Sequence, residues 1–87
     1  MIKIILTHKV ENVERWKGFE AERISHLGRF ADDVRGSALA GDGNSVAVSM
    51  EVVDPTGLEA FMSTEECAEL LKRHGVMQPV QRFVAVG

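Results

Sequence analysis

The sequence predicts an α+β domain with the element order β-α-β-β-α-β. Three observations support this: a strand of period 2 at residues 45–52, a helical pattern on either side of it, and apolar strand-length segments near both ends of the chain. This order is typical of the ferredoxin-like arrangement, an antiparallel four-stranded sheet, here expected in the order 4-1-3-2, with both helices on one face. The 87 residues predict one domain, 1–87.

The central element is a β-hairpin predicted over residues 34–53. From position 45 to position 52, valine or methionine alternates with serine, alanine or glutamate, which is the pattern of a strand with two unlike faces. A shorter and weaker partner strand is predicted at residues 37–40. Between the two strands, residues 41–44 (GDGN) tolerate the positive φ of a tight turn.

The first strand is predicted at residues 2–10, with one apolar face and one mixed face. Asn12 then begins a helix as its N-cap. The apolar residues of this helix fall on one arc at about 100° per residue, and Glu20 and Arg23 project into the same arc, where they could pair. The helix ends at Gly28 or continues to Asp32.

The second helix begins at Asp54-Pro55, an N-cap followed by proline at the first helical position. An uninterrupted helix would place Glu65 and Glu69 in its apolar stripe. A break near Ser63 resolves this conflict, and residues 63–66 (STEE) have the form of a capping box that starts a new helix. The last strand is predicted at residues 80–86.

Composition and charge favour some classes of protein and argue against others. The net charge is −3 and no run of lysine or arginine occurs, so no nucleic-acid partner is predicted. No apolar segment is long enough to span a membrane, and no signal peptide precedes the first strand. Cys67 is the single cysteine, which excludes an intrachain disulfide and a CxxC metal site. We therefore expect a reducing compartment, most simply the cytoplasm.

Several segments resemble one known family. The text THKVENVERWKGFEAE from Thr7 is similar to the opening of small proteins of the dimeric α+β barrel superfamily, those of the antibiotic-biosynthesis-monooxygenase-like kind. Residues 44–48 resemble the start of the third strand in that family. Residues 61–65 resemble its F-x-S-P-E helix break, and Gly75-Val76 before Pro79 resembles its entry into the last strand. The resemblance spans residues 2–86.

This resemblance implies a homodimer whose two sheets pack face to face, with a cavity between sheet and helices. Members of the family include cofactor-independent oxygenases, haem-degrading oxygenases, lactone isomerases and proteins without a known activity. The haem-degrading members use an Asn, a Trp and a His on set elements. Here the only tryptophan, Trp16, is on the first helix and the first strand has no asparagine, so no haem site is carried over. The chain also lacks tyrosine. We expect no cofactor.

The candidate site residues fall into two groups. His8, Glu20 and Arg23 are the catalytic candidates: Arg23 would hold an anion or enolate, and His8 or Glu20 would move a proton. The ligand-binding candidates are the cavity aromatics Trp16 and Phe19 and the polar sheet positions Thr7, Ser49, Glu51 and Arg82. Each also has a structural interpretation, as core anchor, solvated strand end, surface ion pair or dimer seam. The three histidines lack metal-ligand spacing, so no metal site is predicted.

Two functions remain open from sequence. The favoured one is a non-catalytic dimeric module, a homodimer formed through the sheet face that carries no helices. The alternative is an enzyme or binding protein for a small aromatic or apolar ligand, of the cofactor-independent oxygenase or isomerase type. A cavity of a few hundred Å³ that reaches Arg23 would favour the alternative, and a filled interior would favour the module.

Overall fold

A computed structural model describes residues 2–41 and 43–86 of the chain. The turn residue Asp42 and the terminal Met1 and Gly87 lie outside the described residues. The elements in chain order are β1 (Ile2–Val10), α1 (Val13–Lys17), α2 (Glu20–Leu27), β2 (Ala31–Ala38), β3 (Ser45–Val52), α3 (Pro55–Met62), α4 (Glu65–Arg73) and β4 (Val76–Val84).

The four strands form one antiparallel sheet in the order β2-β3-β1-β4. This is the predicted order 4-1-3-2 counted from the opposite edge, so the ferredoxin-like fold is confirmed. The central strands β1 and β3 pair without a register shift from Ile2 opposite Val52 to Lys9 opposite Ser45. β2 and β4 form the two edges, and each has one irregularity in its pairing.

The alternation predicted for the central strand is confirmed. Val46, Val48, Met50 and Val52 are each 3% exposed or less, and they join the buried side chains of the helices in one core cluster. Burying these apolar side chains against the helices is the main favourable contribution to folding, at about 1.5–3 kcal/mol for each large one. Their neighbours along β3 are only half-buried and point to the other side of the sheet.

The first helical region is two helices, so the prediction of one continuous helix is wrong. Asn12 is the N-cap as predicted, and its side chain accepts a hydrogen bond from the Arg15 amide. However, α1 ends at Gly18, and α2 begins after Phe19. α2 then ends at Gly28, whose φ of −61° is right-handed rather than the left-handed conformation of a C′ glycine.

The second helical region is split as predicted, with its N-cap one residue later than the capping box indicated. Asp54 caps α3 by accepting from the Gly57 amide, and Thr64 rather than Ser63 caps α4 by accepting from the Cys67 amide. The Thr64 hydroxyl also donates to the Phe61 carbonyl, which ties the end of α3 to the start of α4.

Both edge strands are displaced from their predicted positions. β2 runs from Ala31 to Ala38 rather than over 37–40, and it includes Asp33 at a φ of 53° within its irregular segment. β4 runs from Val76 to Val84 rather than over 80–86 and continues through Pro79. An edge strand tolerates such residues because one of its sides makes no ladder hydrogen bonds.

The sheet face opposite the core is called the open face below. It presents a mixed surface that includes Ile5, Thr7, Ala47, Ser49 and Glu51 of the central strands and Phe83 of β4, which is 54% exposed. In the described part of the chain, no helix is long and apolar enough to cross a membrane.

Candidate functional site

A cavity of ≈ 250 Å³ lies between the helices and the core face of the sheet. Most of its lining is apolar and comes from both layers, including Leu6 and Val48 of the sheet. Polar groups enter this lining from His8 on β1, Trp16 on α1, Arg23 on α2 and His74 at the end of α4. An apolar cavity with a few converging polar groups is the usual form of a small-molecule site.

Arg23 is a buried cation, with 6% of the residue exposed. Its Nη1 donates to the Trp16 carbonyl at 2.7 Å, and its Cζ lies 3.9 Å from the centroid of the Trp16 ring. Among the described residues, no carboxylate comes within ion-pair distance of this guanidinium. Burial lowers the pKa of Arg23, and the charge of Glu20 opposes that change only in part.

Trp16 forms the wall against which Arg23 stacks, and only 3% of the residue is exposed. Its indole Nε1–H is buried, and within the described part of the chain it has no hydrogen-bond acceptor. A buried donor of this kind costs about 1–3 kcal/mol of stability relative to a satisfied one. Two polar groups of the described residues are therefore called unmet: the Arg23 guanidinium, which has no opposite charge nearby, and the Trp16 Nε1–H, which has no acceptor. They belong to two contacting residues of the cavity wall.

His8 lies at the point where the register between β1 and β4 shifts, and its side chain reaches the cavity. The ring packs edge-on against Trp16, with centroids 6.4 Å apart and planes at 76°. Burial lowers the pKa of His8; the Lys9 carbonyl opposes this and the charge of Arg23 adds to it. The imidazole is therefore neutral at pH 7. With Nδ1 donating to the Lys9 carbonyl at 3.3 Å, Nε2 keeps its lone pair and can accept a proton.

His74 is a polar residue of the cavity lining that the sequence did not single out as functional, as is Gln78. Its side chain is 1% exposed, its ring stacks on Phe19 at 4.5 Å, and its Nε2 lies 3.2 Å from Oε1 of Glu22. Burial lowers the pKa of His74, and the hydrogen bond to Glu22 opposes that change in part. Arg73 donates from Nε to the same carboxylate at 3.0 Å, which holds the pKa of Glu22 below its ordinary value.

The structure brings three of the predicted site residues together, since His8, Trp16 and Arg23 all line the cavity. Phe19 does not line the cavity; its ring stacks on the ring of His74, which does. Glu20 is exposed, and in the described part of the chain it forms no ion pair with Arg23.

The predicted polar sheet positions lie elsewhere. Thr7, Ser49 and Glu51 are on the open face, where Glu51 lies 3.9 Å from Lys3. Arg82 is on the core side of β4, where it pairs with Glu59 of α3 and contacts the Met62 sulfur. None of these four residues lines the cavity described above.

The fold and the cavity together define a class: a ferredoxin-like α+β domain with a small apolar cavity between sheet and helices. Solved structures share this fold. An antibiotic biosynthesis monooxygenase matches with a TM-score of 0.71 and 13% identity, covering 100% of this chain and 98% of the other. A protein from Bacteriodes thetaiotaomicron, provisionally assigned as an antibiotic biosynthesis monooxygenase, matches with a TM-score of 0.62 and 15% identity, covering 99% and 89%.

A further structure, from Deinococcus radiodurans and with the same provisional assignment, has a TM-score of 0.59 and 8% identity and covers 100% and 92%. No protein-family model and no curated protein sequence matches this chain. At these identities the likeness is one of fold. It confirms the ferredoxin-like fold implied by the resemblance to antibiotic-biosynthesis-monooxygenase-like proteins, over the whole length of the chain.

Proposed function

We propose that this protein binds a small, largely apolar anion in the cavity between sheet and helices, with Arg23 as the counter-charge. The observation that carries the proposal is a buried guanidinium at the wall of an apolar cavity. It donates to a carbonyl oxygen and lies over an aromatic face, and no carboxylate of the described residues is within ion-pair distance. A buried charge without an opposite charge is costly, and a carboxylate, phenolate or enolate on a ligand would compensate it.

The size of the cavity supports a single-ring ligand. An apolar cavity of about 150 Å³ is enough to hold benzene. The ≈ 250 Å³ available here has room for an aromatic ring with one or two substituents. A cavity of this size with Arg23 in its lining favours the binding protein or enzyme over the non-catalytic module.

A proton transfer is the chemistry that the polar groups support. His8 presents a neutral imidazole to the cavity, and Arg23 supplies positive charge on the same wall. The imidazole would take a proton from an acidic O–H or from a C–H beside a carbonyl. The electron pair stays on the ligand as a phenolate or enolate that Arg23 stabilises. An isomerase returns that proton to another atom. Monooxygenation, the activity for which the structural neighbours are named, would use O₂ as co-reactant with the same anion. One oxygen atom would become a carbonyl oxygen on the ligand carbon and the other would leave as water, with the electrons supplied by that carbon.

A thermal-shift experiment tests the binding proposal. Benzoate and its neutral isostere benzamide are titrated against the wild type, Arg23→Gln and Arg35→Gln. Arg35 is an exposed arginine that pairs with Asp33, so its substitution controls for the loss of one charge. At a concentration 100 times the Kd, benzoate should stabilise the wild type by about 2.7 kcal/mol. Removing a charged hydrogen bond worth about 1.5–3 kcal/mol should weaken benzoate roughly ten- to a hundredfold in Arg23→Gln alone.

Equal shifts with benzoate and benzamide, or equal benzoate affinity in the two arginine variants, would refute the role of Arg23. The proton-transfer step has a separate readout. With an enolisable aryl ketone in D₂O, wild type should accelerate deuterium exchange at the carbon beside the carbonyl. His8→Gln should bind the ketone and lose the exchange. Exchange at the wild-type rate in His8→Gln would exclude this residue as the base.

We also propose that two copies associate through the open face. Small or apolar side chains such as Ile5, Ala47 and Ser49 permit two sheets to approach at about 10 Å. Phe83 adds a large exposed apolar group to the same surface. In a closed dimer of two-fold symmetry, the open face of one copy would pack against the same face of the other. The partner would also cover part of the edge strands β2 and β4.

The dimer is tested by sizing with light scattering. Ser49→Arg would place a charge in the seam, but Ser49 already lies opposite Arg35 of β2, and like charges there would repel within one chain. Ala47→Arg avoids that contact, because Ala47 lies between Thr7 and Ser37. We expect a dimeric wild type and a monomeric Ala47→Arg. Ala60→Arg, at an exposed position of α3, is the matched control and should remain dimeric. A monomeric wild type at micromolar concentration would contradict the proposal.

A reducing compartment, most simply the cytoplasm, is part of the same proposal. Its support is Cys67, a free and buried thiol that no disulfide engages.

A further inference from the structure

Gly36 of β2 lies behind the wall that carries the two unmet polar groups. It pairs with the cavity-lining Val48 across the sheet, so its missing side chain would point to the core side. A Cβ at this position would lie 2.9 Å from Cη2 and 3.5 Å from Cζ3 of Trp16, and 3.6 Å from Nη2 of Arg23. The first distance is shorter than ordinary van der Waals contact, and the buried indole would have to move.

We infer that Gly36 is the positioning residue of this wall: the absence of its side chain lets Trp16 and Arg23 lie against β2 and leaves the cavity open for the ligand. The steps follow from packing. The indole rests with its distal edge on the strand at Gly36, and the guanidinium rests on the face of the indole. A methyl group at 36 would push the indole off the strand. The adjacent space that can receive it is the cavity, so Gly36 limits the length of ligand that fits. This second consequence rests on the proposed function.

The positioning role is tested without ligand by a double-mutant cycle between Gly36→Ala and Trp16→Phe. Phenylalanine lacks the distal ring atoms that Cβ would meet. In the wild-type background Gly36→Ala should lower the melting temperature by about 4–8 °C. In the Trp16→Phe background the same change should leave it unchanged or raise it, because alanine restricts the unfolded chain more than glycine. Gly43→Ala is the matched control, since a Cβ there meets nothing within 4 Å.

Trp16 is the only tryptophan, so its fluorescence reports the wall directly. Gly36→Ala should shift the emission, and Gly43→Ala should leave it unchanged. In the ligand arm, Gly36→Ala should weaken 2-naphthoate at least tenfold more than benzoate. An additive cycle with unchanged emission overturns the inference, and so does an unchanged preference between the two ligands in a protein that binds both. A wild type that binds neither ligand refutes the proposed function, while the cycle and the emission still decide the role of Gly36.

Discussion

Replacing Trp16 by alanine should be among the most destabilising single changes in this domain. The side chain is buried, backs onto β2 at Gly36, and carries the guanidinium of Arg23 at 3.9 Å. Truncating a buried tryptophan typically costs about 3–5 kcal/mol through lost transfer free energy and the cavity left behind. The lost cation–π contact adds about 2 kcal/mol when desolvated, and removal of the unsatisfied N–H returns about 1–3 kcal/mol. These last two contributions roughly cancel, so the net cost stays at about 3–5 kcal/mol.

A small domain has about 5–15 kcal/mol of stability in total, so the variant should melt far below the wild type. At about 4–8 °C per kcal/mol, the expected fall in melting temperature is about 12–40 °C. Far-UV circular dichroism is the measurement, because the variant has no tryptophan. Ile24→Ala, at a position of α2 that is 42% exposed, is the control and should change the free energy of unfolding by about 0.5 kcal/mol or less. A Trp16→Ala protein that melts within a few degrees of the wild type would show that the indole is not a packed anchor.

Three further predictions follow from other parts of the structure. Asp54→Ala removes the acceptor 2.9 Å from the Gly57 amide and should cost about 0.5–2 kcal/mol in urea unfolding; no change in midpoint would contradict the cap. Burial lowers the pKa of His8 and His74 below 6.5, so the unfolded chain binds protons more readily, and stability should be full above pH 6.5 and fall as the pH drops below it. The urea midpoint between pH 7.5 and pH 5 measures this fall, and His74→Gln should make it shallower; an identical slope would speak against it. Burial also raises the pKa of the Cys67 thiol, so an aromatic disulfide reagent should label it only as the protein unfolds, and rapid labelling of the native protein would count against burial.

The fold was predictable wherever a local pattern decides the structure. The alternation at residues 45–52 and the split near Ser63 depend on neighbours in sequence, and both are present in the structure. The edges were not predictable in the same way. The segment from Ala31 includes two aspartates, residues with low strand propensity, and it pairs with β3 because the tertiary arrangement presents an edge there. The break between α1 and α2 was missed because the apolar arc continues across Gly18.

The candidate site was predictable only in part, for a related reason. The position of Arg23 on an apolar arc indicated a charge near the core, and it is buried. The pair formed by Glu22 and His74 joins residues 52 positions apart, so no local spacing could have indicated it. Placement of His74 on the apolar face of its helix was the only available signal. The volume of the cavity follows from the packing of α1, α2, α3 and α4 against the sheet, and local sequence patterns do not specify that packing.

The unmet polar groups argue for function because folding alone would not favour them. Among the described residues, Arg23 is a buried cation without an ion pair and Trp16 has a buried N–H without an acceptor, and each reduces the stability of a domain that has little to spare. A leucine or methionine at position 23 would fill the same space without the cost of a desolvated charge. Yet Trp16 and Arg23 lie close against Gly36, a position where a Cβ would come within 2.9 Å of the indole. Groups that conflict with the local rules of a stable core, while the backbone around them accommodates them closely, are expected where a ligand completes the structure.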